Sequence, residues 1–192
     1  MRKINRPPCP NPTALATDYK YPQNKEALKN ASFGKCMYCE SIISHIDYGD
    51  IEHIKPKSRF PGLKFEWNNL GYSCTRCNRE YKKDKFNEDT PYINPYNEDP
   101  NEHIFISGAF VMQKQGSERG ELTKIDIGLN RDSLIQNRQE KIDRVQKTVD
   151  ACYRTSNEAL KNDALEALKK EANEDKEYSL CIKYLLKSQD II

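Results

Sequence analysis

Glu52 and His53 are neighbours in the stretch Gly49-Asp-Ile-Glu-His-Ile-Lys-Pro56, and Asn78 follows directly on Cys77. An acid, an imidazole and an amide are the parts of a metal-assisted hydrolase. The oxygens of Glu52 and Asn78 would hold one divalent cation. Two protein oxygens completed by waters and a substrate phosphate oxygen suit Mg²⁺ or Mn²⁺. His53 would then take a proton from water, because an imidazole with an ordinary pKa near 6.5 is usefully neutral at cell pH. The water attacks phosphorus, and the cation stabilises charge on the leaving oxygen. Taken alone, a histidine beside an acid is usually a structural or surface pair; what surrounds this one decides the reading.

Two Cys-x-x-Cys pairs, Cys36/Cys39 and Cys74/Cys77, bracket the acid and the histidine. In such a turn both sulfurs can face one ion, and two turns complete a tetrahedral four-sulfur shell that suits Zn²⁺. A closed shell is structural, and its binding energy is folding energy. Redox thiols or an iron–sulfur cluster are the competing uses. Cys9, Cys152 and Cys181 make the total seven, an odd count in a chain with no secretory signal at its start, so a disulfide framework is not expected. Each of these three reads as a small buried hydrophobe.

These groups need elements to position them. Adjacent residues on a regular strand face opposite ways, so Glu52 and His53 can serve one site only where a strand ends; Pro56 supplies the stop. Trp67-Asn-Asn-Leu70 reads as a turn, with Asn69 (or, less well, Asn68) pinning the loop that carries the histidine. A helix is predicted to start at the second cysteine pair, with Asn78 in its first turn. Two strands and a helix in this order are the layout of a ββα-metal site. His45 and His103 lack such a context and read as surface or capping groups.

The 192 residues are 36% hydrophobic and 31% charged, with a mean hydropathy of −0.91. No apolar stretch approaches the ~20 residues of a membrane span, so a cytoplasmic protein with no membrane partner is expected. The net charge of +2 hides a local asymmetry. From 55 to 85 there are nine Lys/Arg against three acids, whereas from 131 onward there are twelve of each sign. A basic patch over the cysteine region favours a polyanion. Residues 1–32 read as a proline-rich arm with a short helix over 24–31. Residues 33–90 form the metal module. Residues 91–129 form a turn-rich segment with a hairpin over 103–107 and 109–113 around Gly108. Residues 130–192 carry three helical patterns and are a possible partner interface.

The ordered pattern Cys36/Cys39, Glu52-His53-Ile-Lys-Pro56, Asn69-Leu70, Cys74/Cys77-Asn78 resembles the HNH endonuclease superfamily in its four-cysteine, zinc-stabilised form. By that resemblance His53 is the general base, Glu52 and Asn78 hold the catalytic metal, and Asn69 is the structural asparagine. Two positions depart from the family pattern. Glu52 stands where Asp or His is commoner. Tyr81 stands where a lysine is usual, three residues after the Asn, so the phosphate-binding candidates are Arg79, Lys82, Lys83 and Lys85. A narrower set (35–40, 50–58, 67–70, Cys77-Asn78, Lys85-Phe86 and 99–103) is similar to the PtuB-type HNH proteins of Septu anti-phage systems and some retron operons. This implies a PtuA-like ABC-class ATPase as partner, with a retron reverse transcriptase and its DNA as a further possibility. The expected fold is α+β: a zinc-stapled ββα-metal module with a small β-hairpin and a helical C-terminal region. The expected function is metal-dependent endonuclease in antiviral defence, on DNA. The alternatives are the same chemistry on RNA such as tRNA, or a non-catalytic zinc-finger subunit that only binds nucleic acid.

Overall fold

The structure is a computed structural model and describes residues 1–45 and 48–192; the His45 side chain, read above as a surface or capping group, lies outside the described set. Two short helices come first, α1 (Pro12–Leu15) and α2 (Pro22–Ala31). Each begins with proline, whose fixed φ and missing N–H suit a first helical position. The antiparallel pair β1 (Asp50–His53) and β2 (Leu70–Ser73) follows, in the register Asp50↔Ser73 to His53↔Leu70. The loop between them holds two 3₁₀ turns, Pro61–Leu63 and Trp67–Asn69. Gly49 enters β1 at φ +69°, where a Cβ would lie 2.3 Å from the Tyr72 hydroxyl, so only glycine lets β1 lie flat on β2 there.

After β2 the chain forms a π-helix over Arg76–Lys82 rather than an α-helix. The hairpin of β3 (Ile104–Ser107) and β4 (Phe110–Gln113) turns at Gly108. Next comes α3 (Glu118–Asp126), capped by Ser117 accepting from the Gly120 N–H. This helix falls in the stretch read from sequence as turn and hairpin only. Glycine is unfavourable inside a helix, but at Gly120 a Cβ would sit 2.4 Å from the His103 carbonyl, so glycine is what lets α3 press on the hairpin. Three helices complete the fold: α4 (Asp132–Arg154), α5 (Glu158–Glu171) and α6 (Ser179–Ser188).

Two hydrophobic clusters hold these elements. The larger joins the N-terminal arm (Ile4, Leu15), the cysteines, β1, β2 and the hairpin to the first turns of α4 (Leu134) and α6 (Leu180, Cys181). The smaller joins α4, α5 and α6 through Val145, Val149, Cys152, Leu168, Ile182 and Leu186. The helical region therefore grows out of the module's own core. Burying one such aliphatic side chain contributes about 1.5–3 kcal/mol. The arm is irregular but docked. Arg6 donates to the carbonyls of Trp67 (2.8 Å) and Leu70 (2.9 Å), with its guanidinium 4.0 Å from the Tyr96 ring centroid, and Trp67 donates from Nε1 to the Pro7 carbonyl. Among the described residues no helix is long and apolar enough to cross a membrane.

Candidate active site and cysteine cluster

The first knuckle turns because Cys36 N–H donates to the Ser41 carbonyl and Glu40 N–H to the Cys36 carbonyl; Met37 N–H reaches across to the Tyr72 carbonyl of β2. The second knuckle runs from the end of β2 into the π-helix, and the Cys77 N–H donates to the Cys74 sulfur. One sulfur from each of Cys36, Cys39, Cys74 and Cys77 lies within 4.8 Å of the others, all four buried. Four converging thiols with no open side are a donor set for a tetrahedral ion, a possible zinc site. Arg131, just ahead of α4, donates from Nη1 to the Cys77 sulfur at 3.4 Å. Four thiolates around Zn²⁺ carry two net negative charges, and this guanidinium offsets part of them. Arg131 also lies over the Tyr81 ring, 5.3 Å from its centroid. Nothing in the sequence pattern singled out Arg131, because a partner so far along the chain has no spacing rule.

The three candidate residues line one cleft, and each has one side-chain atom tied down. His53 ends β1, and its Nε2 lies 2.9 Å from the Lys64 carbonyl. A carbonyl only accepts, so in the neutral ring Nε2 carries the proton and Nδ1 is the acceptor nitrogen. Burial holds the imidazole below its ordinary pKa, and the charges of Lys57, Lys82 and Lys64 act in the same direction against the opposing bond to the Lys64 carbonyl. The residue before Lys64 is in turn held by Asn69. Its Oδ1 accepts from the Lys55 N–H (2.8 Å), and its Nδ2 donates to the carbonyls of Lys55 (2.9 Å) and Leu63 (3.1 Å). Asn69 thus fastens both limbs of the loop between β1 and β2.

Glu52 is 1% exposed, and its described contacts fall on a single oxygen. Oε1 takes the Lys82 ammonium at 2.6 Å and the Tyr38 hydroxyl at 3.3 Å. Burial pushes this carboxyl above its ordinary pKa, with Lys82 opposing. Oε2 has no partner among the described residues, and Glu52 lines the cleft. Asn78 is fixed from the amide nitrogen: Nδ2 lies 3.3 Å from Asp50 Oδ2, which turns its Oδ1 the other way. Asp50 in turn is gripped by Arg79 through Nε and Nη2. Ligating carboxylates and amides are held in this way from behind, so one oxygen each of Glu52 and Asn78 fits a divalent ion.

The π-helix explains the departure at Tyr81. A π turn closes i→i+5, as Lys83 N–H does to the Asn78 carbonyl at 2.7 Å. One more residue fits into the turn, and Lys82 rather than Tyr81 comes to the face shared with Asn78. Lys82 is 1% exposed and also donates to the His53 carbonyl. Of the phosphate-binding candidates it is the buried one, its ammonium held by Glu52 and the His53 carbonyl. Arg79 is 62% exposed but committed to Asp50. Lys83 and Lys85 are exposed; Lys83 lines the cleft, and Lys85 is paired with Asp126 at 3.2 Å. The cleft, about 400 Å³, is bounded on the opposite side by Tyr19, Lys20 and Lys57. His103 stands apart, bonded to Ser117 and Arg119 at the start of the hairpin.

Residues 36–84 match the family model described as HNH endonuclease. The chain is 35% identical over 150 residues to the Septu protein PtuB of Bacillus mycoides (strain KBAB4), covering 62% of this chain and 51% of that protein. It is 39% identical over 107 residues to the Septu protein PtuB of Bacillus thuringiensis, covering 55% and 40%. The chain thus spans about half the length of the curated relatives it matches. Residues 36–84 are thus similar to the HNH endonuclease family, and the chain is similar to Septu PtuB proteins.

Proposed function

We propose that this chain hydrolyses phosphodiester bonds of nucleic acid with a divalent metal, acts on DNA, and is the nuclease component of a Septu-type defence assembly. The observation that supports the reading is that His53, Glu52 and Asn78 line one cleft together with Lys20, Lys57 and Lys83, each of the three with one side-chain atom held by a neighbouring group. Glu52 and Asn78 would hold Mg²⁺ or Mn²⁺, which when bound supplies charge stabilisation at the leaving oxygen. His53 Nδ1 accepts the proton of the attacking water, and the Lys64 carbonyl keeps the ring aimed as it becomes charged. Lys82 keeps Glu52 ionised in a buried place. Lys83, Lys57 and Lys20 attract and seat the phosphate backbone without reading bases. The four cysteines hold structural Zn²⁺, which staples the two ends of the ββα unit. An ABC-class ATPase of the PtuA type is the expected partner, on the strength of the likeness to Septu PtuB.

The test offers plasmid DNA and total tRNA to the purified chain, with and without a PtuA-type ATPase, in Mg²⁺, Mn²⁺ or EDTA. The expected result is DNA cleavage that is lost in EDTA and reduced about 10²–10⁴-fold in His53→Ala. Cleavage of tRNA in preference to DNA moves the target to RNA. Tight binding with no cleavage, unaffected by His53→Ala, leaves only a zinc-finger binding subunit.

A further inference from the structure

We propose that Tyr19, from the segment ahead of the matched HNH domain, is a positioning residue that sets the orientation of the His53 imidazole and so completes the active site. The proposal rests on the nuclease reading above.

His53 is anchored by one hydrogen bond, from Nε2 to the Lys64 carbonyl. One bond leaves the ring able to rock about it, because the torsion that turns an imidazole has broad wells. The second restraint on the ring is aromatic. The Tyr19 ring stands edge-on to His53, with centroids 4.7 Å apart and planes at 73°, the arrangement that aromatic quadrupoles favour. Tyr19 is in turn held on its far side. Its hydroxyl accepts from the Lys57 ammonium at 2.5 Å, and the Phe65 ring lies 6.4 Å away. The three groups come from different parts of the chain, and the imidazole is caught between a carbonyl of the loop and a ring of the arm.

The backbone that delivers Tyr19 is built for a fixed position. Lys20 N–H donates to Asp18 Oδ1 (2.8 Å) and Tyr21 N–H to the Asp18 carbonyl (3.2 Å), a tight turn around the ring. Asn24, fully buried, accepts from the Asn11 N–H and donates to the Asn11 carbonyl, locking the loop that carries Tyr19. Lys25 reaches the Gly49 carbonyl at 2.8 Å, one residue before β1. The segment is therefore tied to the start of β1 and touches His53 at its end. The domain match begins at residue 36, so this wall of the site lies outside it.

The test compares Tyr19→Ala, Tyr19→Leu and Tyr19→Phe in the full chain, with wild type and His53→Ala alongside. It reads kcat and KM for nucleic-acid cleavage, zinc content, and the His53 ring signals in ¹H–¹³C spectra. Tyr19→Ala and Tyr19→Leu should lower kcat about 10- to 100-fold, the cost of a misplaced catalytic group, with KM held within about twofold. Tyr19→Phe should restore kcat, because the ring and not the hydroxyl meets His53. The His53 ring protons should lose the ring-current displacement in Ala and Leu and keep it in Phe, with zinc unchanged throughout. Wild-type kcat in Tyr19→Ala, a change confined to KM, or unmoved His53 signals overturn the proposal. If wild type and His53→Ala are equally inert, the nuclease reading falls and takes the proposal with it. If wild type cleaves and Tyr19→Ala cleaves equally well, the proposal falls alone.

Discussion

Asn69→Ala should lower both stability and catalysis through one loop. The side chain makes three hydrogen bonds, to the Lys55 N–H, the Lys55 carbonyl and the Leu63 carbonyl, while only 6% exposed. At about 1 kcal/mol net per bond the loss is roughly 3 kcal/mol, and the Lys55 N–H left unpaired adds to it. For a chain of this size that corresponds to a fall in melting temperature of roughly 6–12 °C. Urea unfolding in excess zinc measures the first quantity. The second effect is on His53: freeing Leu63 lets the adjoining Lys64 carbonyl drift, and kcat should fall about 10- to 100-fold with little change in KM. Asn69→Asp sharpens the test. It keeps the acceptor for Lys55 N–H but sets a carboxylate against two carbonyls, so its stability should recover as pH falls and the introduced carboxyl takes up the proton it can donate. An Asn69→Ala protein within about 0.5 kcal/mol of wild type, with unaltered kcat, would refute the argument that this amide sets the catalytic loop.

Lys82→Met leaves Glu52 buried without its cation and should cost about 3–5 kcal/mol in denaturant unfolding. Adding Glu52→Gln to it should recover much of that loss; an unchanged unfolding midpoint in the single variant contradicts the pairing. Arg131→Gln removes the guanidinium beside Cys77 and should weaken zinc binding about 10- to 100-fold in chelator competition, the usual cost of losing an outer partner. Equal zinc affinity would show that the offset charge is unimportant. Because burial lowers the His53 pKa from 6.5, the basic form persists below that pH. Cleavage at fixed Mn²⁺ should therefore show an acid limb whose midpoint lies below 6.5. An acid limb centred above 6.5 would contradict the buried, neutral base.

Local patterns were legible and remote partners were not. The helix over 24–31, the hairpin around Gly108 and the three C-terminal helices follow from periodicity and turn chemistry, which act over a few residues. The cysteine pairs were equally plain, since the Cys-x-x-Cys spacing is itself the geometry of a metal turn. The helix α3 escaped because Gly120 serves a close backbone approach rather than a break. The inward course of Lys82 was not legible because a π turn, which admits one residue more, has no spacing rule in the sequence. Arg6, Tyr19 and Arg131 escaped for a different reason. Each acts on a group brought to it only by the completed fold, and their residue types differ in nothing from surface neighbours.

The clasp of Arg6 on the carbonyls of Trp67 and Leu70 has a consequence in time. Its partners are 61 and 64 residues downstream. At about 5–20 residues per second, a ribosome delivers them roughly 3–13 s after the arginine. Until then the arm has nothing to grip, and the turn that ends in Asn69 is unmade. The Tyr96 face under the guanidinium arrives later still. A nascent chain therefore passes through an interval in which the first cysteine pair and His53 have been synthesised while the clasp is still open. The loop that carries the histidine is therefore fastened to the arm only after the histidine itself has been made.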